Sequence, residues 1–507
     1  MEPKKERRWF FAILALTALL AWFNFDGIVL SDEYLYTERA WNIVSGQFQL
    51  TPSAFDNRFG WLWLQAAAVY LLDPTYFALV FPAFLSALLL VFLVWRVARK
   101  ADKKTGLIAA GLMALNPAVL DLAGDVSPDL LMCAFASMAV FYLQIRRFAA
   151  LSVLFLFLAF GTKMSVLFIF PWIAFLLFLD IRDKKNTRFW VAFCLFGLLL
   201  LFAYLFTYYQ ITGDPLYRWH GVEQEHNKSA WSYYGKTIFE KLKRISVYLP
   251  IFLMGSAALG VFLPFLAFAE RRLKKTQLFW GTYLLFLLAL HAFGSTSFQV
   301  YNPILLYDRM WLLLVPPLAI ISAEWIGRET HTFSARYYIF LGSLFLFSCI
   351  GQIFLPERFP FFWLTALISL WVSIRPQVKN YWLPGLFLIL FLPQISKITS
   401  FRQGDFFQET QFIQHQPIDQ KTLILTDSIL CSKALVHLGF KPHPGVELRQ
   451  WHQFNPDSTN QYDSIWILYN PQRESVMENY FHRPAPDFIK QELLTSVNTL
   501  QILQLQF

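Results

Sequence analysis

The chain of 507 residues is 56% hydrophobic and only 15% charged, and it contains 54 Phe and 18 Trp. Its mean hydropathy of +0.43 excludes a soluble globular fold, because no soluble core could bury so much apolar surface. A formal net charge of +9 would suggest a nucleic-acid partner in a soluble protein. Here the basic residues lie in short loops between apolar runs, so we predict a polytopic membrane protein with no nucleic-acid partner.

The first apolar run ends in acidic residues. A basic tail at 4–8 precedes the run at 9–30, and Asp32 and Glu33 follow it directly. Because carboxylates are costly at the edge of a membrane, their presence there indicates function. The run has no small-residue cleavage site, so we expect a retained first span rather than a signal peptide. The aromatic pattern after Glu33, ending at Gly46, predicts a helix along the membrane surface.

Apolar runs recur along most of the chain. A transmembrane helix needs roughly 20 apolar residues, and about thirteen runs approach that length. They lie near 9–30, 74–97, 105–121, 129–146, 148–163, 165–180, 189–209, 246–269, 277–294, 308–326, 337–355, 360–374 and 381–395. The predicted fold class is therefore a polytopic α-helical membrane protein, with the membrane domain at 1–395.

Basic residues in short loops predict the orientation of the spans. Counted from an inside N-terminus, every basic cluster falls on the inner face, at 4–8, 96–104, 146–147, 182–188, 271–275, 328–336 and 375–379. The opposite face is rich in carboxylates, and an odd number of spans places the C-terminal tail there. We therefore predict a site on the outer face rather than a pore. This topology fits a bacterial inner membrane with a periplasmic C-terminal domain.

The tail at 396–507 changes in composition and predicts a small soluble α/β domain. Strands are predicted at 421–427, 463–469 and 499–506, and helices at 429–438 and 474–495. The tail has no glycine motif that could cradle a nucleotide. We interpret it either as an accessory, acceptor-facing domain or as a stabilising cap over the outer loops.

Short motifs follow one another in a fixed order along the membrane domain. They are Asp32-Glu33-Tyr34-Leu35-Tyr36 ending at Gly46, Asn116-Pro117 through Asp125 to Asp129, Phe160-Gly161-Thr162-Lys163 followed by Pro171, and Tyr307-Asp308-Arg309 through Pro316-Pro317-Leu318-Ala319. Their order and the topology resemble the GT-C membrane glycosyltransferases, in the family-39-like branch that includes protein O-mannosyltransferases and the aminoarabinose transferases of lipid A.

This resemblance implies transfer of a sugar from a polyprenyl-phosphate donor to a lipid, polysaccharide or protein acceptor on the outer face. The acceptor must lose a proton as it attacks, which requires a carboxylate near the interface. Asp32 leads the first motif and is the predicted general base, with an interfacial helix cap as its structural alternative, while Glu33 either takes the base role or orients the surface helix. Asp129 is a further catalytic candidate, with Asp125 as its substitute. The structural alternative for Asp129 is a charge at a helix N-terminus.

The leaving group is a phosphate, which calls for cations rather than a general acid. Arg58 and Arg309 are predicted to bind it, because both lie on the outer face and arginine binds phosphate in bidentate fashion. Anchoring to lipid headgroups is their alternative role. Lys163 is the third candidate, with a snorkelling lysine as the alternative. Many relatives carry Glu-Lys-Pro-Pro-Leu in the first loop, and this chain departs from it with Asp56-Asn57-Arg58-Phe59-Gly60-Trp61.

Residues of the outer loops are candidates for the acceptor side of the site. They are Asp56, Asp125, Arg218, His220 and His226. Some relatives hold a divalent metal ion, and the stretch at 220–226 contains residue types that bind metal. Its two histidines are six positions apart, whereas metal-binding pairs on a helix are roughly three or four apart. We expect an acceptor loop without metal, and metal binding is the alternative.

Two other functions are compatible with a polytopic membrane protein. A transporter or flippase of lipid-linked saccharides usually has internal repeats and charges at mid-membrane depth, and neither pattern occurs here. An O-antigen ligase or polymerase is expected to have arginine-rich outer loops instead of the leading Asp-Glu pair. A non-enzymatic scaffold leaves Asp32 and Arg309 unexplained.

Overall fold

The structure is a computed structural model of the chain. It describes residues 2–28, 31–226, 232–233, 235–268, 275–327, 335–355, 360–375, 381–399, 405–416, 420–426, 431, 436–437, 440, 445–450, 453, 461–469 and 501–505. The chain divides into two compact units. One comprises Met1–Asn24, Phe48–Gln65 and Val80–Thr399, and the other comprises Phe25–Gln47, Ala66–Leu79 and Ser400–Phe507.

The described part is mainly helical. In chain order the α-helices are α1 (Pro3–Phe23), α2 (Ser31–Val44), α3 (Phe59–Leu72), α4 (Tyr76–Ala98), α5 (Lys103–Ala114), α6 (Pro117–Ala123), α7 (Asp129–Ile145), α8 (Ala149–Thr162), α9 (Phe170–Arg182), α10 (Thr187–Thr212), α11 (Tyr217–Gly221), α12 (Ile238–Lys243), α13 (Leu249–Gly255), α14 (Lys275–Phe293), α15 (Val315–Ile326), α16 (Ala335–Phe354), α17 (Phe362–Ser373), α18 (Trp382–Thr399) and α19 (Asp405–Gln414). Segments of 3-10 helix lie at Met164–Ile169, Gly260–Phe268 and Asp308–Leu314.

Every apolar run marked in the sequence contains a helix, which confirms a polytopic helical membrane fold. Among the described residues, seven helices are long and apolar enough to cross a membrane, or up to nine if each of two bent pairs forms one span. The exact number of thirteen spans stays a prediction. The helix expected after Asp32 is α2, and its location at the membrane surface also stays a prediction.

Two of the expected spans are broken rather than straight. The run at 105–121 bends by 59° between α5 and α6, because Asn116 caps α6 and accepts a hydrogen bond from Val119 N at 3.2 Å. Pro117 then occupies the first turn of the new helix, where its missing N–H costs nothing. The run at 246–269 bends by 89° before Gly260, so the expectation of one continuous helix there was wrong.

The first unit has one large apolar core. Its fully buried Trp side chains come from helices spread along the chain and are Trp172, Trp280, Trp311 and Trp382. By contrast, α10 carries exposed apolar side chains, among them Leu195, Leu198 and Phe202. A large apolar surface of this kind is typical of a face that contacts lipid. The core therefore holds the helices together, while α10 is suited to the membrane.

Within the described residues, the second unit contains a four-stranded sheet with the order β2-β1-β3-β4. Its strands are β1 (Thr422–Thr426), β2 (Val446–Gln450), β3 (Ser464–Tyr469) and β4 (Gln501–Leu505). Strand β1 is parallel to β2 and β3, with Leu423 opposite Ile465, and β4 is antiparallel to β3. All residues of β1 are buried, as expected for a central strand covered on both faces.

The strands predicted at 421–427, 463–469 and 499–506 are confirmed as β1, β3 and β4. Strand β2 was not predicted, because its sequence Val-Glu-Leu-Arg-Gln carries charged residues and occupies an edge of the sheet, where apolar side chains are not required. The helix predicted at 429–438 lies mostly outside the described residues, and the one predicted at 474–495 lies entirely outside them. The domain boundary between 395 and 396 stays a prediction.

Candidate active site

A buried ion pair joins two of the predicted site residues. Asp129 is the first residue of α7, and Lys163 follows the last residue of α8. Lys163 Nζ donates a hydrogen bond to Asp129 Oδ1 and lies 3.3 Å from Met310 Sδ. Ser127 Oγ donates to the other carboxylate oxygen of Asp129 at 2.8 Å. The exposed fractions of the two side chains are 2% for Asp129 and 11% for Lys163, so the charges compensate each other out of water.

Two arginines complete a cluster around this pair. Arg58 and Arg309 both lie within electrostatic range of Lys163, and Arg309 is also within range of Asp129. We call Arg58, Lys163, Arg309 and Asp129 the cation cluster. Its cations outnumber its carboxylate. A group of this composition attracts an anion, and its two guanidinium groups match the geometry of phosphate oxygens.

The position of Arg58 depends on the loop that precedes it. Asp56 is buried and accepts hydrogen bonds from the hydroxyl and the backbone N–H of Thr51, the latter at 3.2 Å. Asn57 Nδ2 donates to the carbonyl oxygens of Thr51 at 3.0 Å and Ser53 at 2.7 Å. Asp56, predicted on the acceptor side, therefore closes its own loop. Asn57 also stabilises this loop and was not predicted as a site residue. The sequence indicated it only through its position next to Arg58.

The same loop is tied to α10 and to α8. Tyr208 Oη donates to Asn57 Oδ1 at 2.8 Å. Two residues after Arg58, a Cβ atom on Gly60 would lie 2.4 Å from Thr162 Oγ1 and 2.7 Å from the carbonyl oxygen of Leu158. Only glycine allows α3 to approach the end of α8 this closely. Gly60 thus lies against the end of α8, directly before Lys163.

Asp308 holds the segment that carries Arg309. Its carboxylate accepts hydrogen bonds from the hydroxyl of Ser256 and from the backbone N–H groups of Ala257 and Ala258, both at 3.2 Å. Asn116 Nδ2 donates to the carbonyl oxygen of Ala258 at 3.0 Å. The two helix breaks therefore meet at this point. Their unpaired backbone groups are satisfied by Asn116 and Asp308, which explains why both expected spans bend next to the cluster.

A cavity of about 180 Å³ lies between α8, α10 and α11. Its lining is mainly apolar and comprises Phe160, Met164, Leu167, Leu201, Tyr204, Leu205, Pro215, Leu216, Arg218 and Trp219. Arg218 is only 4% exposed, and its guanidinium lies 4.8 Å from the ring centroid of Phe160. Its Nη1 has no hydrogen-bond partner among the described residues. A buried cation in an apolar cavity is suited to a ligand that is both anionic and apolar.

The remaining acceptor-side candidates are His220, Asp125 and His226. His220, on the short helix α11, has its Nδ1 2.7 Å from Oδ2 of Asp214, which precedes that helix, and this hydrogen bond lowers the pKa of the Asp214 carboxyl. Asp125 is half-buried in the turn between α6 and α7. The side chain of His226 lies outside the described part. Within that part, no group of three His, Cys, Asp or Glu residues could hold a metal ion.

The acidic pair at the start of α2 belongs to the second unit. Glu33 is buried together with Tyr36, Thr37 and Ala40, a spacing that forms one stripe along a helix. Asp32 precedes this stripe and is half-buried. The hydroxyl of Thr37 donates to the carbonyl oxygen of Glu33 at 2.8 Å. Glu33 thus lies on the packed face of α2, whereas Asp32 keeps part of its surface open.

The fold and the cation cluster define a class of protein: a multi-pass helical membrane protein with buried and partly buried cations gathered at helix ends. Comparisons with known proteins agree with a membrane protein of this class. The sequence model of the dolichyl-phosphate-mannose-protein mannosyltransferase family matches residues 57–208, which include Arg58, Asp129 and Lys163. A search of curated protein sequences gives no significant match.

Solved structures of ArnT have a similar fold. ArnT from Cupriavidus metallidurans bound to undecaprenyl phosphate is 13% identical over 93% of this chain and 94% of that chain, with a TM-score of 0.53. Its apo state gives the same values. The archaeal oligosaccharyltransferase AglB from Archaeoglobus fulgidus, in complex with an inhibitory peptide and a dolichol-phosphate, is 12% identical over 85% of this chain and 64% of that chain, with a TM-score of 0.46.

The family match and the shared fold confirm the resemblance predicted from the sequence. The chain is thus similar to membrane glycosyltransferases of the GT-C, family-39-like type in sequence over residues 57–208 and in fold.

Proposed function

We propose that the chain transfers a sugar from a polyprenyl-phosphate donor to an acceptor hydroxyl or amine of a lipid, polysaccharide or protein. The reaction takes place at the outer face of a bacterial inner membrane. The cation cluster carries the proposal, because a phosphate leaving group needs positive charge in a water-poor site. The ArnT structure matched over most of the chain contains undecaprenyl phosphate, which supports a lipid phosphate as the donor.

Arg58, Lys163 and Arg309 bind the donor phosphate and stabilise the negative charge that it gains as it leaves. Asp129 is a positioning residue in this scheme, since its carboxylate orients Lys163. Its buried pairing with that lysine makes it a poor proton acceptor. The apolar cavity beside Arg218 receives the first part of the prenyl chain. Nη1 of Arg218, which has no hydrogen-bond partner among the described residues, binds the anionic head of the lipid.

Asp32 is the proposed general base. The acceptor oxygen or nitrogen forms a bond to the anomeric carbon and gives its proton to the Asp32 carboxylate. The bond between the anomeric carbon and the phosphate oxygen breaks, and the electron pair leaves with polyprenyl phosphate. Asp32 is preferred over Glu33 because Asp32 is half-buried, whereas Glu33 lies on the packed face of α2.

The test is sugar transfer by the purified protein. A panel of radiolabelled polyprenyl-phosphate sugars serves as donors and a crude envelope extract as acceptor. Wild type is compared with Asp32→Asn, and Asp73→Asn is the matched control because Asp73 is exposed. We expect transfer by wild type and the control, and loss of transfer in Asp32→Asn. A wild-type protein that moves donors across proteoliposome membranes without transferring sugar would instead be a transporter.

A further inference from the structure

The segment that leads into α2 makes a close contact with α19. Phe25 and Ile28 are buried, and Gly27 between them has a φ of +97°. A Cβ atom on Gly27 would lie 2.4 Å from Cβ of Phe406. Asp32 follows Ile28 by four positions. Because the connection is so short, any shift of this segment moves the start of α2.

Tyr76 fixes the same segment from a third element. Its hydroxyl donates to the carbonyl oxygen of Gly27 at 3.2 Å. Its ring centroid lies 6.0 Å from that of Phe25 in an edge contact and 5.6 Å from that of Phe406. Tyr76 and Phe406 therefore enclose Gly27 together. This position tolerates no side chain, because of both the close approach and the positive φ.

The other end of α2 has a second attachment to the C-terminal part of the chain. The ring of Trp41 stacks on that of Phe440, with centroids 4.7 Å apart and an interplanar angle of 19°. Phe440 is only 7% exposed. Stacked aromatic pairs of this geometry contribute beyond the area they bury. Residues beyond 400 therefore contact both the approach to α2 and its far end.

Buried polar contacts fix Phe406 in turn. His437 is fully buried, and its ring centroid lies 4.7 Å from that of Phe406. Thr410 Oγ1 lies 2.7 Å from His437 Nδ1, and Gln414 Nε2 donates to the carbonyl oxygen of His437 at 2.6 Å. Glu409 is also buried, 3.7 Å from His437 Nε2. A buried network of this kind holds α19 in one position.

We propose that Phe406 and Phe440 are positioning residues for catalysis: Phe406 holds the segment that leads into α2, Phe440 holds the far end of α2, and together they set the position of Asp32. The C-terminal part of the chain is then a component of the active site's support rather than a separate module. This inference rests on the proposed function, since it assigns the base to Asp32. Neither phenylalanine is expected to touch donor or acceptor.

The test combines kinetics with hydrogen exchange on the full-length protein in detergent. Phe406→Ala and Phe440→Ala remove the contacts, and Phe406→Leu retains most of the volume as the conservative variant. Phe412→Ala is the matched control, because Phe412 lies on α19 but packs on Trp466, with ring centroids 5.4 Å apart. Asp32→Asn is measured alongside.

We expect the two alanine variants to lower kcat by roughly tenfold or more, since small misplacements of a catalytic group have effects of that size. The KM for the donor should stay within about twofold, because the donor phosphate is bound by the cation cluster. Amides of α2 should exchange faster, whereas amides of α7 and α8 should not. Phe406→Leu should recover most of kcat, and Phe412→Ala should keep both kcat and α2 protection.

Unchanged α2 exchange in Phe406→Ala and Phe440→Ala would overturn the inference. So would faster exchange with full kcat while Asp32→Asn is inactive, since α2 would then be loosened without consequence. An active Asp32→Asn variant is a distinct result: it removes the base from the proposed function, while the exchange data still report whether α2 is held.

Discussion

Lys163 and Asp129 form a buried ion pair that joins the end of α8 to the start of α7. The lysine was predicted to bind a phosphate and the aspartate to act in catalysis. Because they pair with each other, their roles are coupled. The carboxylate orients the ammonium group, and the two arginines nearby add the surplus positive charge that an anionic donor needs.

Single and double variants of this pair should affect the free energy of unfolding and the binding of the donor differently. Lys163→Met leaves a buried carboxylate without its partner, which we expect to cost about 3–5 kcal/mol of unfolding free energy. The double variant Lys163→Met with Asp129→Leu should recover most of that stability but not donor binding. Thermal unfolding in detergent and donor titration measure the two quantities. Recovery of donor binding in the double variant would contradict a phosphate-binding role for Lys163.

Arg58 should act through its fork of N–H donors and not through charge alone. Arg58→Lys keeps the charge but loses bidentate geometry, so we expect the KM for the donor to rise about tenfold. Arg58→Gln should raise it further, and kcat should change less in both variants. Steady-state kinetics with varied donor concentration provide the measurement. Equal donor KM values for Arg58→Lys and wild type would show that a point charge is sufficient.

Gly60→Ala should disturb the approach of α3 to α8. The new methyl group would collide with Thr162 and with the backbone of Leu158, which we expect to cost about 1–3 kcal/mol and to weaken donor binding by moving Arg58. Gly197→Ala is the matched control, because a Cβ there meets nothing within 4 Å. Unfolding and donor binding are measured for both. Unchanged donor binding in Gly60→Ala would mean that Arg58 does not depend on this contact.

We expect Arg218 to contribute to lipid binding and to lower the stability of the protein. Its Nη1 is buried without a hydrogen-bond partner among the described residues, so Arg218→Met should leave the unfolding temperature equal to or above that of wild type. The affinity for polyprenyl phosphate should fall about tenfold or more. Thermal unfolding with and without the lipid checks both parts. A strongly destabilised variant with normal lipid affinity would assign Arg218 a purely structural role.

Some features could be predicted from the sequence because they depend on local composition. The polytopic helical fold follows from apolar runs, α2 from the pattern after Glu33, and β1, β3 and β4 from apolar strands in a polar tail. Arg58, Lys163 and Arg309 were selected as phosphate-binding candidates because cations opposite the basic loops need an explanation. None of these inferences required knowledge of which segments meet in space.

Other features depend on contacts between distant residues. The pairing of Asp129 with Lys163 joins positions 34 residues apart, and the link between Asp308 and Ser256 joins positions 52 apart. The strand β2 was missed because an edge strand has no strong apolar pattern. The bends at Asn116 and before Gly260 were also not predicted. Hydropathy indicates which residues avoid water but not which groups the backbone forms hydrogen bonds with.

The sequence by itself thus determined that this is a membrane protein and which residue types are available for phosphate chemistry, because burial and charge are properties of single residues and short runs. Only the tertiary structure decided that Arg58, Lys163, Arg309 and Asp129 form one cluster, and that residues beyond 400 contact both the segment before the helix carrying Asp32 and the far end of that helix. Such groupings arise when distant segments pack, and the energy of a buried pair depends on the distance and surroundings of both partners.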